Sequence, residues 1–391
     1  MGRLVYLDNA ATTMRKPIAV RRAVKAALRK CGSPGRGGHL PSDKASEILF
    51  SCRMLASELF HVDSPNRIVF TTNATHALNI AINSIVQTER LAERGTDGRV
   101  LISGYEHNSV LRPLYARKSE GVETVPIISP LFEPEVFLHK LEREMDRGAG
   151  AVVCTHVSNV FGYILPIERV SEMCAKRGIP LIIDASQSAG CLDIDMRRLK
   201  AAKFICMPGH KGLLGPQGTG ILICATDEAV ALITGGTGAD SLSSEMPGYL
   251  PERLEAGTPN VHGIAGLAEG IRYVLKRGTE NILEHERQIT GMIVEGLDMM
   301  PVVKVYHGRR FFCQTGVLSV SFRNGDCEAA AQALADKGIC VRAGLHCAPL
   351  AHRSAATQST GTLRISPSPF SKPRDAGRLI KVLRQWILKC K

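Results

Sequence analysis

The chain contains no C-x-x-C pair, although it holds 12 cysteines among 391 residues. Structural zinc sites and dense disulfide frameworks rest on such closely spaced thiols, so neither is expected. Cysteines scattered singly read as small, buried apolar residues in a reducing compartment. Cys154, Cys206 and Cys224 accordingly fall in or beside strand-like apolar runs. Aromatic residues are scarce, at 5%, which suits a soluble α/β enzyme. No run approaches the roughly 18 to 20 apolar residues that cross a bilayer. The opening Met1-Gly-Arg-Leu-Val lacks an apolar core of signal-peptide length. The expectation is a cytoplasmic chain with no membrane segment. Internal repeats and low-complexity linkers are missing too. Lys and Arg outnumber Asp and Glu by 49 to 37, but the basic residues are spread and no nucleic-acid motif accompanies them. A solvated basic surface and an attraction for acidic partners or anionic ligands both remain open.

What is present is an alternation of strand and helix patterns, which predicts an α/β fold with a mainly parallel sheet. Strands are expected at 67–70, 100–103, 124–127, 151–155, 179–183, 203–206 and 220–223. Helical patterns lie between them at 77–87, 136–145 and 167–176. From about Gly263 the pattern changes: helices at 265–276 and 281–299, strands at 302–305 and 316–322, and a helix at 327–337. At this length two domains are expected, a large one over 15–265 and a smaller α+β one from 1–14 with 266–391. The basic stretch 372–391 reads as one face of an amphipathic helix. Ser33-Pro-Gly-Arg-Gly-Gly38 is loop-like and is expected beside an active site.

Two features carry chemistry. In Met207-Pro-Gly-His-Lys-Gly-Leu-Leu-Gly-Pro-Gln-Gly-Thr-Gly220 an apolar strand stops at Pro208-Gly209, and Lys211 follows in a glycine-rich turn. Glycine lets backbone turn tightly and approach a ligand closely. A desolvated lysine there can lose its proton and form a Schiff base with an aldehyde. Shortly upstream, the strand Pro180-Leu-Ile-Ile183 ends in Asp184. Ligands of parallel α/β sheets sit at carboxyl ends of strands, where an acid can pair with a protonated ring nitrogen. Pyridoxal phosphate requires that pair, a Schiff-base lysine and an acid on the pyridinium nitrogen.

Along almost the whole chain the sequence resembles the aminotransferase class V group of fold-type I pyridoxal-phosphate enzymes, within it the cysteine desulfurase and selenocysteine lyase family. The resemblance rests on seven motifs in order: Tyr6-Leu-Asp-Asn-Ala-Ala-Thr-Thr13, Glu106-His-Asn-Ser109, Asp184-Ala-Ser-Gln-Ser-Ala-Gly190, Gly209-His-Lys-Gly212, Glu255-Ala-Gly-Thr-Pro-Asn260, Arg342-Ala-Gly-Leu-His-Cys-Ala348 and Gly361-Thr-Leu-Arg-Ile-Ser366. It implies the fold-type I architecture, a seven-stranded, mainly parallel sheet in the large domain. It also implies pyridoxal 5′-phosphate as cofactor, on Lys211. Thr75, at a helix start after a strand, and His210 are then phosphate contacts, His107 stacks on the ring, and Gln187 meets the ring hydroxyl. Asn159 lies near ring and substrate, Arg364 anchors the substrate carboxylate, and Arg342 borders it. Thr258 is expected to reach the phosphate of a neighbouring subunit, which implies a C2 homodimer with shared sites. Arg36 and His39 are further candidates for that shared site.

Cys347 separates the possible reactions. A transaminase needs only the lysine, whereas a desulfurase also needs a thiolate, which Arg342 and His346 are expected to favour. The expected reaction converts L-cysteine to L-alanine and passes a Cys347 persulfide to a thiol acceptor. L-Selenocysteine as substrate, a β-eliminating lyase giving pyruvate, a transaminase and a non-catalytic cofactor-binding protein stay open. Two departures from the family pattern bear on the substrate: Leu345 stands where many of these desulfurases have His, and Ser366-Pro-Ser-Pro-Phe370 replaces a stretch ending in an aromatic-Asn pair.

Overall fold

The computed structural model describes residues 4–35, 37–87, 91, 98–323 and 326–389. Its centre is a seven-stranded sheet built from β2 (Ile68–Thr71), β3 (Arg99–Ser103), β4 (Glu123–Ile127), β5 (Ala151–Thr155), β6 (Leu181–Asp184), β7 (Ala202–Pro208) and β8 (Gly220–Cys224). The spatial order is β2-β8-β7-β6-β5-β3-β4. All neighbours from β7 to β4 run parallel, while β8 is antiparallel to both β7 and β2. Every residue of β5, β6 and β8 is buried, the pattern of strands covered on both faces. Alternate residues serve opposite faces. Leu181, Ile183, Ile205 and Met207 join one apolar cluster, and Ile182, Phe204 and Cys206 join the other.

Helices α1 (Ile18–Lys30), α2 (Leu40–Phe60), α3 (Ala74–Ile85), α4 (Asn108–Tyr115), α5 (Pro134–Met145), α6 (Ile167–Lys176) and α7 (Val261–Arg277) accompany this sheet. In α6 the buried residues are Ile167, Val170, Ser171 and Cys174, a 3–4 spacing that turns one stripe inward. The α3 helix starts where the Asn73 side chain accepts the His76 N–H, satisfying one of its free first-turn donors. Glycine allows a close approach beside it: a Cβ on Gly220 would lie 2.6 Å from Thr71 Oγ1 and 2.8 Å from the Asn73 carbonyl carbon.

A third apolar cluster gathers Leu7, Ile293, Leu297, Leu318, Leu334, Leu363 and Leu383. It lies among helices α8 (Thr279–Asp298), α9 (Cys327–Ala335) and α10 (Pro373–Lys389) and a four-stranded antiparallel sheet. That sheet runs β12 (Arg342–Gly344), β13 (Thr362–Ile365), β10 (Leu318–Phe322), β9 (Val303–Tyr306). β1 (Val5–Tyr6) pairs in parallel with β11 (Ile339–Cys340). α10 buries Leu379, Leu383 and Ile387, as its amphipathic pattern predicts. The expected boundary at 265 falls within α7, whose Ile264, Leu267, Ala268 and Ile271 all belong to the cluster of the large sheet.

Candidate active site

Asp184 is the last residue of β6 and is 3% exposed. Its Oδ1 accepts the Ser186 N–H at 2.9 Å. β7, its neighbour, ends at Pro208, and the next turn carries Lys211. The loops after the two strands interlock: a Cβ on Gly212 would stand 2.2 Å from the Ala189 carbonyl oxygen, and one on Gly190 2.4 Å from the Gly212 oxygen. The turn is tied on its far side too, since Thr13 Oγ1 donates to the Lys211 carbonyl at 2.6 Å and Lys16 Nζ to the His210 carbonyl at 2.8 Å. One cavity results, walled by Thr75, His107, Asn159, Asp184, Gln187, His210 and Lys211, with Asn73, Ala74, Ser109 and Ser186 beside them. Seven of the residues expected from sequence therefore meet in one place.

Burial sets the protonation here. The Lys211 amine is pushed down to about 8, chiefly by desolvation, with Arg364 and Arg342 adding to the fall and Asp184 opposing it. His107 is lowered by burial against the pull of Asp184. His210 falls to about 4 through burial and the charges of Lys211 and Lys16, so its ring is neutral. Its Nδ1 lies 2.9 Å from Thr12 Oγ1. The His107 ring caps α4, with Nδ1 2.6 Å from Ser109 Oγ, which is 3.1 Å from Thr75 Oγ1. The amino end of α3, with Thr75 in its first turn, supplies unpaired N–H groups and a positive dipole end for an anion. Gln187 Nε2 donates to the Ala10 carbonyl at 2.9 Å.

Cys347 is exposed and does not line this cavity. Its loop is nevertheless pinned to the cavity's walls. Asn159 Nδ2 donates to the His346 carbonyl at 2.8 Å, and the Asn108 N–H, next to His107, donates to the Cys347 carbonyl at 2.7 Å. His346 and Cys347 both have left-handed backbones, φ 49° and 56°, a conformation costing about 1–2 kcal/mol per residue that these bonds offset. The His346 ring corrects one expectation. It packs inward with Nε2 3.1 Å from the Thr362 carbonyl, and burial drives its pKa down to about 3. A neutral, inward-facing ring supplies no positive charge to the neighbouring thiol.

The chain matches the family described as "Aminotransferase class-V" over residues 5–379. The chain belongs to the class-V aminotransferase family. Among curated relatives, a "Probable cysteine desulfurase" of Pyrococcus abyssi is 30% identical over 98% of this chain and 94% of that protein. Another of that name, from Methanothermobacter thermautotrophicus, is 32% identical over 93% and 89%. Among solved structures, the apo cysteine desulfurase of Thermococcus onnurineus NA1 superposes with a TM-score of 0.89 at 28% identity, covering 99% of this chain and 95% of that one.

In this class-V chain Arg364 is 3% exposed on β13 and donates through Nη1 to the Asn159 carbonyl at 2.9 Å. It and Arg342 meet a residue for which sequence reasoning named no role: Asp8, which accepts from both. Glu106 was likewise given none. It is fully buried behind the cavity, accepts from the Thr155 N–H at 2.6 Å and from Ser103 Oγ, and is pushed up to about 8 by desolvation. Both lie in motifs quoted above, and the signal for Asp8 was the need of two strand arginines for a counter-charge. Thr258 is not brought to the cavity of its own Lys211. It lies in another cavity with Ser33, Pro34, Gly35, Arg53 and Glu255. His39 caps α2 by accepting from the Ser42 N–H, and Arg36 lies outside the described residues. Of the two departures, Leu345 is 44% exposed. Ser366 fastens the amino-terminal segment, its Oγ accepting from the Ala10 N–H at 2.9 Å. Pro367, Ser368 and Pro369 line a second cavity that also reaches Lys211.

Proposed function

We propose that this chain is a pyridoxal-phosphate-dependent cysteine desulfurase that converts L-cysteine to L-alanine and carries the sulfur on Cys347 for a thiol acceptor. The carrying observation is the meeting of Lys211 and Asp184 in one cavity, with the Cys347 loop bonded to two of its walls. The cavity fits pyridoxal phosphate: Asp184 Oδ2 has no hydrogen-bond partner among the described residues, Lys211 is poised to lose its proton, and α3 offers its amino end. Lys211 would hold the cofactor, Asp184 its ring nitrogen, His107 its face, Gln187 its hydroxyl, and Thr75 and His210 its phosphate. When bound, the cofactor supplies an electron sink for the substrate Cα.

The remaining work falls to side chains. Arg364 holds the α-carboxylate through its planar fork, with Arg342 at its border and Asn159 fixing both the Arg364 fork and the Cys347 loop. The Lys211 amine takes the Cα proton. The Cys347 thiolate attacks the substrate sulfur, the C–S bond breaks, and a persulfide remains on Cys347. An acceptor thiol then attacks the outer sulfur and regenerates Cys347. The sum is L-cysteine plus thiol giving L-alanine plus persulfide, with no external oxidant or reductant. We assign Thr258 to the phosphate of a neighbouring subunit in a C2 homodimer, a reading supported by its place in a cavity other than that of its own Lys211. A cytoplasmic setting is supported by the free thiols of all eleven described cysteines. The separation of the two clusters on the large sheet from the third around Leu7 supports a large and a small domain meeting along α7 and α8.

The test is L-alanine release from L-cysteine with excess thiol reductant, in wild type and Cys347→Ala side by side. Alanine from the wild type alone supports the proposal. No alanine from either protein, with cofactor bound, overturns it in favour of L-selenocysteine or another C–S lyase reaction.

A further inference from the structure

Arg342 and Arg364 stand directly opposite each other on β12 and β13. Like charges at paired positions repel, and here one guanidinium is 3% exposed while the side chain of the other is 53% exposed. Asp8 joins them from a third element. Its Oδ2 accepts from Arg342 Nε at 3.1 Å and Nη2 at 3.0 Å, and its Oδ1 accepts from Arg364 Nη2 at 3.0 Å. The Asp8 backbone is itself fixed, bridged to Ser366 at the end of β13. With Asp8 on Nη2 and the Asn159 carbonyl on Nη1, the Arg364 fork has one orientation. Its Nε is buried and has no partner among the described residues, a costly state that points to a group still to be bound.

We propose that Asp8 is the positioning and charge-setting residue of the carboxylate site, a specificity role that rests on the substrate reading above. It orients Arg364 and neutralises Arg342. Two guanidiniums and one carboxylate leave a single positive charge, so the site accepts an amino acid with one carboxylate and disfavours a second anion on its side chain. Asp8 acts through the arginines and does not itself touch the reacting atoms.

The test uses the cofactor-loaded enzyme with L-alanine and L-aspartate as probes of one and two carboxylates, read as the ligand-induced change in bound-cofactor absorbance, which needs no turnover. Relative to wild type, Asp8→Asn is expected to shift the Kd ratio about tenfold toward L-aspartate. Asp8→Asn combined with Arg342→Gln restores the single charge and is expected to bring the ratio back to within about threefold. Arg342→Gln alone, which tests the same charge count even if Asp8→Asn loses its cofactor, is expected to move the ratio the other way. Equal weakening of both ligands, with the ratio unchanged in these variants, overturns the proposal and leaves Asp8 a structural residue. A wild type that makes no L-alanine from L-cysteine sinks the desulfurase reading instead, and the ratio still reports on the carboxylate site.

Discussion

Gly212→Ala tests whether the contact between the β6 and β7 loops sets the reaction geometry. The substitution adds one methyl, yet that methyl would stand 2.2 Å from the Ala189 carbonyl oxygen, about 1 Å inside a normal van der Waals contact. Both partners are backbone, so no side chain can rotate away. Relief requires the Lys211 turn to move about 1 Å from the loop that follows Asp184. Overpacking of this kind costs about 1–3 kcal/mol, and a 1 Å misplacement of reacting groups costs on the order of 100-fold in rate. Equilibrium urea unfolding, with kcat for L-alanine formation in the same preparation, measures the two effects separately. The expected result is a modest loss of stability with a disproportionate loss of kcat and retained cofactor. Stability within 0.5 kcal/mol of wild type, by the ordinary scale of surface substitutions, together with kcat within about twofold, would refute the claim that this contact positions Lys211.

Glu255→Ala should destabilise the chain by about 3–5 kcal/mol. It strands the buried Arg53 guanidinium, which Glu255 holds at 2.9 and 2.7 Å, and frees the Phe70 N–H that Glu255 accepts at 2.6 Å; urea unfolding reads the loss. Acid should destabilise through His156 and His352, which burial lowers to about 3 and about 4. Their unfolded rings take up protons near pH 6.5, so stability falls as pH drops from about 6.5 toward 4, by about 1.4 kcal/mol per pH unit for each ring. His352→Gln should reduce that slope by one proton in urea titrations across this range.

Much of the fold is legible because burial on both faces leaves a plain mark. The apolar runs ending at Thr155 and Asp184 can only be central strands, and the 167–176 helix declares both its ends. The antiparallel β8 is less legible: its burial matches that of its parallel neighbours, and its direction follows from the short return through 209–219. The helices α1 and α2, which lie before the first strand of the large sheet, interrupt the alternation by which the rest was read. In the cavity, Lys211 and Asp184 are legible because each ends a strand in a chemically committed residue. Asp8 is not, since its value depends on two arginines more than 330 residues away, brought near by the pairing of the amino-terminal segment with β11 and Ser366. His346 misleads for a related reason: its neighbours suggest a charge, but desolvation, which no local sequence pattern records, keeps it neutral.

The pinning of the Cys347 loop has a consequence for how sulfur leaves. A thiol on a long tether can carry its cargo outward to whatever acceptor is at hand. Here the carbonyls of His346 and Cys347 are both tied to the cavity's walls, so the loop starts its delivery docked on the cavity and not extended into solvent. The acceptor must come close to the mouth of the cavity to meet the sulfur, and its reach decides who is served.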